Sequence, residues 1–325
     1  MNKKYYEDQG LTALETTVED IRILNDKKWY AFKDSIIYPG GGGQIPDKAK
    51  INGYEIAGVY KDDDFTGFRF NENCSFDTGD SVKIEIDADF RQYNRQQHTA
   101  QHLISAVMDD LGFKTVSVHL GEEYTLIEIE GGIPDNEKIR FIENRSNEII
   151  HQALPVKCEW LSTDEAQKLP LRKKPGLYDA LRIVSIDGID YSACGGTHVD
   201  NTSQIGLIKF INLEKIRGNA RLQFFVGKKA YEYFSQVHEM ERKLVNILQT
   251  APEQLEQRIQ NLIADKTALT KSLANLKKKW LPYEAESILK GRKKWPIFYQ
   301  KLKNFQNKRG LWERDFLTVR KNLFC

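Results

Sequence analysis

The chain has 325 residues, enough for two or three domains, and its 40% hydrophobic and 29% charged residues are typical of a globular protein rather than a disordered one. No apolar run approaches the roughly 20 residues of a membrane-spanning helix, and the N-terminus lacks the apolar segment of a secretory signal. The four cysteines have no disulfide-framework spacing, so we expect a cytoplasmic protein with no membrane partner.

The net formal charge of +2 conceals an asymmetry along the chain. From Val226 to Cys325 there are 21 Lys and Arg against 10 Asp and Glu, which gives +11. The other 225 residues hold 27 against 36, which gives −9. A basic C-terminal part on an acidic body favours a polyanionic partner, although a solvated helical surface would have the same composition.

Residues 1–88 have the pattern of short β-strands. Polar and apolar residues alternate with period two at 54–60 and 81–86, and the stretches 12–21 and 29–32 are also β-prone. Turn-forming residues separate these stretches. Several short strands at such spacing predict a small β-barrel domain.

Residues 38–47 contain four consecutive glycines followed by Gln44. Such a run cannot be a regular element, but it permits positive φ and close backbone approach, and its N–H groups can face an anion or a carbonyl. It is not a P-loop, because no Gly-Lys-Ser/Thr follows. Either it is a flexible hairpin tip, or it places Gln44 over a reacting centre and binds substrate through Gly41, Gly42 and Gly43.

Residues 89–226 mix helical and strand patterns and predict an α+β domain. One helix is expected over about 90–111, ending at Gly112, and a second over about 135–152. Strand-like runs lie at 114–119, 124–130, 181–186, 205–211 and 221–226.

Two pairs of metal-type ligands stand out in this region. His98 and His102 are four residues apart on the first predicted helix, so both imidazoles can reach one ion. Cys194 and His198 flank two glycines, which suit a tight turn. Each pair alone is more often ordinary packing, but together they form a donor set that fits one Zn²⁺ per chain. Four tight ligands would make the site structural, whereas a loose His198 would leave it open for catalysis.

Residues 227–289 are predicted to be helical. After a helix over about 228–249, Thr250 as N-cap and Glu253 three residues later predict the start of another helix. Its apolar residues alternate at spacings of four and three, a coiled-coil signature. This apolar seam consists of Leu255, Ile259, Leu262, Leu269, Leu273, Leu276 and Trp280. We expect it to pack on the preceding helix as a helical hairpin or on a second chain as a homodimer.

Residues 290–325 mix basic and aromatic residues without a strong structural pattern. The mixture suits phosphate contact and base stacking, and a poorly ordered tail would have the same composition. The candidate contacts are Lys293, Lys294, Lys301 and Lys303.

The segments HTAQH at 98–102 and CGGTH at 194–198, with the glycine loop that ends in Gln44, resemble the editing domain of alanyl-tRNA synthetase. They are still more similar to its free-standing relatives, the AlaX-type trans-editing proteins, in their long form with a C-terminal coiled coil. The resemblance covers roughly residues 10–280. It implies a translation-factor-like β-barrel and a central zinc editing domain of the threonyl/alanyl-tRNA synthetase type.

The sequence differs from the family pattern in two places. No class II catalytic motifs precede the barrel, so we do not expect a whole synthetase. No glycine-rich motif follows the coiled coil, so we expect residues 290–325 to be a truncated or divergent form of the family's C-terminal domain.

The family hydrolyses mischarged tRNA(Ala), chiefly Ser-tRNA(Ala) and in some members Gly-tRNA(Ala). The resemblance therefore implies a zinc-dependent aminoacyl-tRNA deacylase that binds tRNA. Zinc would polarise the ester carbonyl, activate water or hold the substrate amino group. Gln44 would donate to a carbonyl or ribose oxygen.

Thr115 matches the family's discriminating threonine, on a strand expected to face the site, although β-propensity alone would also favour threonine there. Ser117, two residues later on that strand, is expected to bind substrate. Two alternatives stand beside hydrolysis of mischarged tRNA. One is a zinc-stabilised tRNA-binding protein without hydrolytic activity, and the other is a metal-dependent hydrolase of small esters or amides.

Overall fold

The structure is a computed structural model that describes residues 1–71, 74–174, 176 and 179–289. Met1–Val237 form one compact unit, and a second unit begins at His238. The first unit contains two separate large hydrophobic cores, one within the predicted barrel region and one within the region that follows it.

The N-terminal strands form the predicted barrel. They are β1 (Asn2–Lys3), β2 (Ala13–Leu24), β3 (Lys27–Phe32), β4 (Asp34–Ser35), β5 (Ala49–Ile51), β6 (Tyr54–Lys61), β7 (Thr66–Phe70) and β8 (Ser81–Ile86). Six of them close in the order β2-β3-β7-β6-β5-β8, and β1 pairs with β4 alongside. The predicted barrel is confirmed. Along β8, Val82, Ile84 and Ile86 are buried while the residues between them are exposed, so the alternating apolar residues of this strand face the barrel core.

The region that follows has α+β architecture, as the sequence predicted. Its helices are α1 (Ala88–Asp109), α2 (Asn136–His151) and α3 (Thr163–Ala166). Its strands are β9 (Lys114–Leu120), β10 (Thr125–Glu130), β11 (Val156–Ser162), β12 (Ala180–Ile186), β13 (Asp190–Ala193), β14 (Ile208–Ile216) and β15 (Asn219–Val226). They form a four-stranded sheet in the order β14-β15-β10-β9 and a three-stranded sheet in the order β11-β12-β13.

Helix α1 is the central element of this unit. Asp87 caps it by accepting a hydrogen bond from the Phe90 amide at 2.9 Å, so the helix begins two residues before the predicted start. Every side chain from Gln97 to Met108 is buried. Because many of these side chains are polar, each needs a partner inside the protein.

The barrel and α1 are joined by a buried ion pair. The Arg91 guanidinium, on α1, binds both carboxylate oxygens of Asp47, at the end of the glycine loop, and donates to the carbonyl of Ile36 at 2.6 Å. Beside it, the Leu120 amide donates to the carbonyl of Gly43 at 2.9 Å. These contacts fix the glycine loop against the end of β9.

Two long helices follow, α4 (Gly227–Leu248) and α5 (Leu255–Leu289), as predicted. The predicted Thr250 cap is wrong. Thr250 completes the end of α4 through its amide, which donates to the Val245 carbonyl, and Ala251 precedes a short 3-10 turn that leads into α5. No helix among the described residues is long and apolar enough to cross a membrane.

The apolar seam of α5 is exposed in the described part of the chain. From Ile259 to Trp280 its members are 40–69% exposed, and apolar residues of α4 such as Phe234 and Ile247 are exposed as well. The coiled-coil pairing, whether as a hairpin or between two chains, therefore stays a prediction.

Candidate metal centre

Two histidines of α1 meet the segment after β13 at a buried cluster. The four side chains are His98, His102, Cys194 and His198, and one ligand atom of each lies within 4.8 Å of those of the others. The Cys194 Sγ is 3.3 Å from His98 Nε2 and 3.4 Å from His198 Nε2. The structure thus brings together the four residues that the sequence pairs suggested, from positions nearly a hundred residues apart.

The hydrogen bonds of His98 fix its tautomer. The Gln44 Oε1 accepts from the backbone amide of Thr197 at 3.0 Å, so this atom must be the amide oxygen. The same oxygen lies 2.8 Å from His98 Nδ1, which must therefore carry the proton. The lone pair of His98 Nε2 is left for a metal ion.

His198 is fixed in the same way by Thr99. The Thr99 hydroxyl donates its single proton to the Arg95 carbonyl at 2.9 Å, so it can only accept from His198 Nδ1, 3.2 Å away. The third imidazole, His102, donates Nδ1–H to the Asp190 carboxylate at 2.8 Å. All three histidines therefore present Nε2 to the same point, and the hydrogen bond at Nδ1 holds each ring in place, as is typical of metal-binding imidazoles.

The segment that carries Cys194 and His198 is held through its backbone. The Arg182 Nη1 donates to the carbonyls of Cys194 at 2.9 Å and Gly196 at 2.8 Å, and Arg95 Nε donates to the carbonyl of His198 at 2.6 Å. Gly196 is required because a side chain at this position would collide with His98, and not because its backbone has a positive φ. A Cβ there would lie 2.0 Å from Cε1 of His98.

The charges in the cluster shift the pKa values of its members in opposite directions. Burial alone would raise the pKa of the Cys194 thiol, but the three imidazoles hold it well below its usual range. Burial would lower the pKa of His102, but the Cys194 thiolate and Asp190 raise it to about 9. Burial, together with the neighbouring His98, lowers the pKa of His198 to about 3.

Asp190 is the group that completes this electrostatic arrangement. Burial opposes its ionisation, yet the His102 hydrogen bond and Arg172 lower its pKa to about 2. Arg172 Nε donates to Asp190 Oδ1 at 2.8 Å. An ionised carboxylate facing His102 and a thiolate facing three imidazoles are what a cation held at this point requires, so the residues fit a metal ion.

The glycine loop reaches the cluster in the conformation that the sequence predicted. Gly40 to Gly43 all have positive φ, and a Cβ on Gly43 would lie 2.7 Å from the carbonyl oxygen of Val118. Gly41 and Gln44 bond each other through their backbone amides and carbonyls. The loop thus delivers Gln44, which is buried, to His98.

Comparison with known proteins agrees with the cluster. The family model described as "Threonyl and Alanyl tRNA synthetase second additional domain" matches residues 181–222, which include Cys194 and His198. The chain is 32% identical over 266 residues to the alanyl-tRNA editing protein Aarsd1 of Bos taurus, covering 79% of this chain and 58% of that protein. It is 29% identical over 302 residues to the alanyl-tRNA editing protein AlaX-L of Pyrococcus horikoshii, covering 89% of this chain and 74% of that protein.

Over most of its own length, the chain is similar to the alanyl-tRNA editing proteins. It is also 28% identical over 279 residues to an alanine–tRNA ligase of Methanococcus maripaludis, covering 81% of this chain and 31% of the ligase. The alignment with the bovine relative spans less than two thirds of that relative's length.

The structure separates the two β9 residues that the editing resemblance singled out. Thr115 is buried and donates to Ser105 Oγ, on α1, at 2.7 Å. Ser117 is exposed and donates to Glu128 at 3.3 Å. A β-bulge lies between them, so they occupy opposite faces of the strand, and the expectation that both face the site is wrong for Ser117.

Several residues around the editing-family motifs were missed from the sequence. The Gln9 side chain accepts a hydrogen bond from the His198 amide at 2.6 Å, although the two residues are 189 positions apart in the chain. Asp190 and Arg182 precede the cysteine motif, where a carboxylate or a guanidinium next to a strand carries no distinctive signal. The basic candidates Lys293, Lys294, Lys301 and Lys303 lie outside the described residues.

Proposed function

We propose that this chain hydrolyses the ester bond of tRNA(Ala) that carries a wrong amino acid, chiefly serine and also glycine, with one Zn²⁺ held by the four-residue cluster. The observation that carries the proposal is the cluster itself, in which one thiolate and three imidazoles converge, each imidazole donating Nδ1–H to a partner outside the cluster. Similarity to the alanyl-tRNA editing proteins supports the choice of substrate.

In this reaction water adds to the acyl carbon and the ribose oxygen leaves with a proton. Zinc held by His98, His102, Cys194 and His198 would supply Lewis acidity toward the ester carbonyl. Gln44 orients His98 and has a role toward the substrate as well. Its Nε2 donates one proton to Thr197 Oγ1 at 2.9 Å, and the second proton of this amide is left for an oxygen of the substrate.

Selectivity for serine is assigned to a row of buried polar side chains beside the metal cluster. Gln97, Gln101 and Ser105 follow one another at intervals of four residues and so share one face of α1. Gln97 directly precedes the ligand His98, and Gln101 directly precedes the ligand His102. Gln101 Nε2 donates to Ser105 Oγ at 2.9 Å, and Thr115 donates to the same oxygen. A site lined with buried hydroxyl and amide groups favours a substrate hydroxyl and disfavours alanine, which offers them no partner.

The partners follow from the same proposal. The basic C-terminal part would contact tRNA phosphates, because its excess of Lys and Arg lies outside the acidic body that holds the site. The exposed seam of α5 would be covered by coiled-coil pairing within or between chains, and the N-terminal barrel would be of the translation-factor type.

A second candidate function is favoured by the completeness of the ligand set. Four protein ligands saturate a tetrahedral zinc ion, and a saturated ion is typical of a structural site. In that case the chain would be a zinc-stabilised tRNA-binding protein without hydrolytic activity.

Serine release distinguishes the two candidates. The zinc-loaded full chain is mixed with Ser-tRNA(Ala), Gly-tRNA(Ala) and Ala-tRNA(Ala) side by side, and the free amino acid is measured. We expect fast loss of serine, slower loss of glycine and none of alanine. Binding of all three tRNAs without release of any amino acid would select the second candidate.

A pair of histidine variants tests the role of the metal. His102→Ala should lose zinc and serine release together, whereas His151→Ala, which removes an exposed histidine at the end of α2, should keep both. Loss of zinc with unchanged serine release would contradict a catalytic role for zinc.

A further inference from the structure

An exposed tryptophan lies two strands away from the metal ligand Cys194, at the same level of the sheet. Trp160, on β11, is 59% exposed although it is a large aromatic residue. It pairs across the strands with Arg182, on β12, and the Cys194 amide donates to the Arg182 carbonyl on the far side at 2.9 Å. Neighbouring strands are about 4.8 Å apart, so the backbones of Trp160 and Cys194 are roughly 10 Å apart.

Tyr6 bridges the distance between this tryptophan and the cysteine segment. Its ring lies 5.6 Å from the Trp160 ring at 83°, an edge-to-face contact that leaves much of the indole exposed. Its hydroxyl is next to Gly195, where a Cβ would lie 3.3 Å away. A continuous aromatic surface therefore runs from Trp160 to the segment that carries the metal ligands.

Arg182 makes this surface rigid. Its guanidinium carbon lies 4.8 Å from the centre of the Tyr6 ring, while its Nη1 holds the carbonyls of Cys194 and Gly196. The same side chain thus fixes Tyr6 on one side and the metal-binding segment on the other. Cys194 is half-buried while the three histidines are buried, so Cys194 is the most solvent-accessible member of the cluster.

We propose that Trp160, backed by Tyr6, is a stacking platform for the 3′-terminal adenine of the tRNA, an inference that rests on the proposed function. The ester at the metal cluster is carried by the terminal ribose, so the attached base must lie within one nucleoside length of the cluster. Trp160, whose backbone is roughly 10 Å from that of the ligand Cys194, offers an exposed aromatic side chain within that reach. Bases stack on such side chains with little dependence on sequence, because every base has a π-face.

The test compares tRNA(Ala) that ends in adenosine with tRNA(Ala) that ends in an abasic ribose. Affinity is measured with both tRNAs uncharged, and serine release with both tRNAs serylated. The proteins are the wild type, Trp160→Ala and Trp160→Phe. The matched control is Phe141→Ala, which removes an exposed aromatic residue of α2.

Trp160→Ala should weaken binding of adenosine-ended tRNA about tenfold and raise KM for its seryl ester by a similar factor, with kcat and zinc content unchanged. Trp160→Phe should retain most of the affinity, and Phe141→Ala all of it. With the abasic tRNA, the wild type and Trp160→Ala should bind equally.

Equal binding of adenosine-ended tRNA by the wild type and Trp160→Ala would overturn the platform. So would an undiminished effect of Trp160→Ala on the abasic tRNA, because the side chain would then contact something other than the base. If the wild type released no serine from either tRNA, the proposed hydrolysis would fail, while the difference in affinity would still decide the platform.

Discussion

The side-chain oxygen of Gln44, in the barrel, accepts a hydrogen bond from Nδ1 of His98, on α1, at 2.8 Å. The contact spans the junction of the two regions whose cores are separate. It means that the glycine loop of the barrel sets the orientation and the tautomer of a metal ligand in its neighbour.

Removing that contact should weaken the metal site. Gln44→Ala leaves His98 Nδ1–H and the Thr197 amide without their acceptor, so we expect zinc affinity to fall about 10- to 100-fold, the usual effect of removing the hydrogen-bond partner of a metal-binding histidine. Competition with a chelator measures this affinity.

Gln152→Ala is the matched control, because it replaces an exposed glutamine at the end of α2 and should leave zinc affinity unchanged. If Gln44→Ala bound zinc as tightly as the wild type, the barrel would have no part in forming the metal site.

Gly196→Ala should abolish zinc binding. Its Cβ would occupy the space of the His98 ring, 2.0 Å from Cε1 and 2.2 Å from Nδ1, and would also approach Gln44 Oε1 at 2.9 Å. Neither the ring nor the amide can move without losing its partner. Zinc content of the purified variant is the measurement, and Gly10→Ala, whose Cβ would make only ordinary contacts, is the control.

Zinc binding should release a proton at neutral pH. Because the pKa of His102 is raised to about 9 without metal, this imidazole is protonated at pH 7 and must lose its proton to bind zinc. Zinc affinity should therefore rise about tenfold per pH unit from pH 7 and level off above pH 9. Calorimetric titration in two buffers of different ionisation enthalpy counts the proton, and an affinity that is constant between pH 7 and 9 would exclude this linkage.

Thr115→Val should lower activity toward serine selectively. The change keeps the shape of the side chain but removes the hydroxyl that bonds Ser105, so kcat/KM for Ser-tRNA(Ala) should fall about 3- to 10-fold, the value of one hydrogen bond. Gly-tRNA(Ala), which has no side chain, should be hydrolysed as before. An equal loss for both substrates would assign Thr115 a structural role only.

The local patterns of the sequence predicted much of the fold. Period-two alternation identified β8, and the spacing of His98 and His102 placed both on one face of a buried helix. Short strands such as β5 and β7 were missed, because three to five residues with a glycine or no alternation carry little signal.

The partners of the metal-type residues could not be predicted in the same way. Gln9, Thr99 and Asp190 reach the cluster through contacts between distant parts of the chain, and a single sequence contains no record of such contacts. The opposite faces of Thr115 and Ser117 depend on a β-bulge, which shifts the alternation by one residue and cannot be read from residue types alone.

X-ray absorption at the zinc edge of the full chain tests the central claim most directly, because it reports the ligands of the ion. We predict one zinc per chain with three nitrogen neighbours at about 2.0 Å and one sulfur neighbour at about 2.3 Å, and loss of the sulfur neighbour in Cys194→Ser. A zinc ion without a sulfur neighbour, or a chain that binds no zinc, would contradict the convergence of His98, His102, Cys194 and His198 on one metal ion.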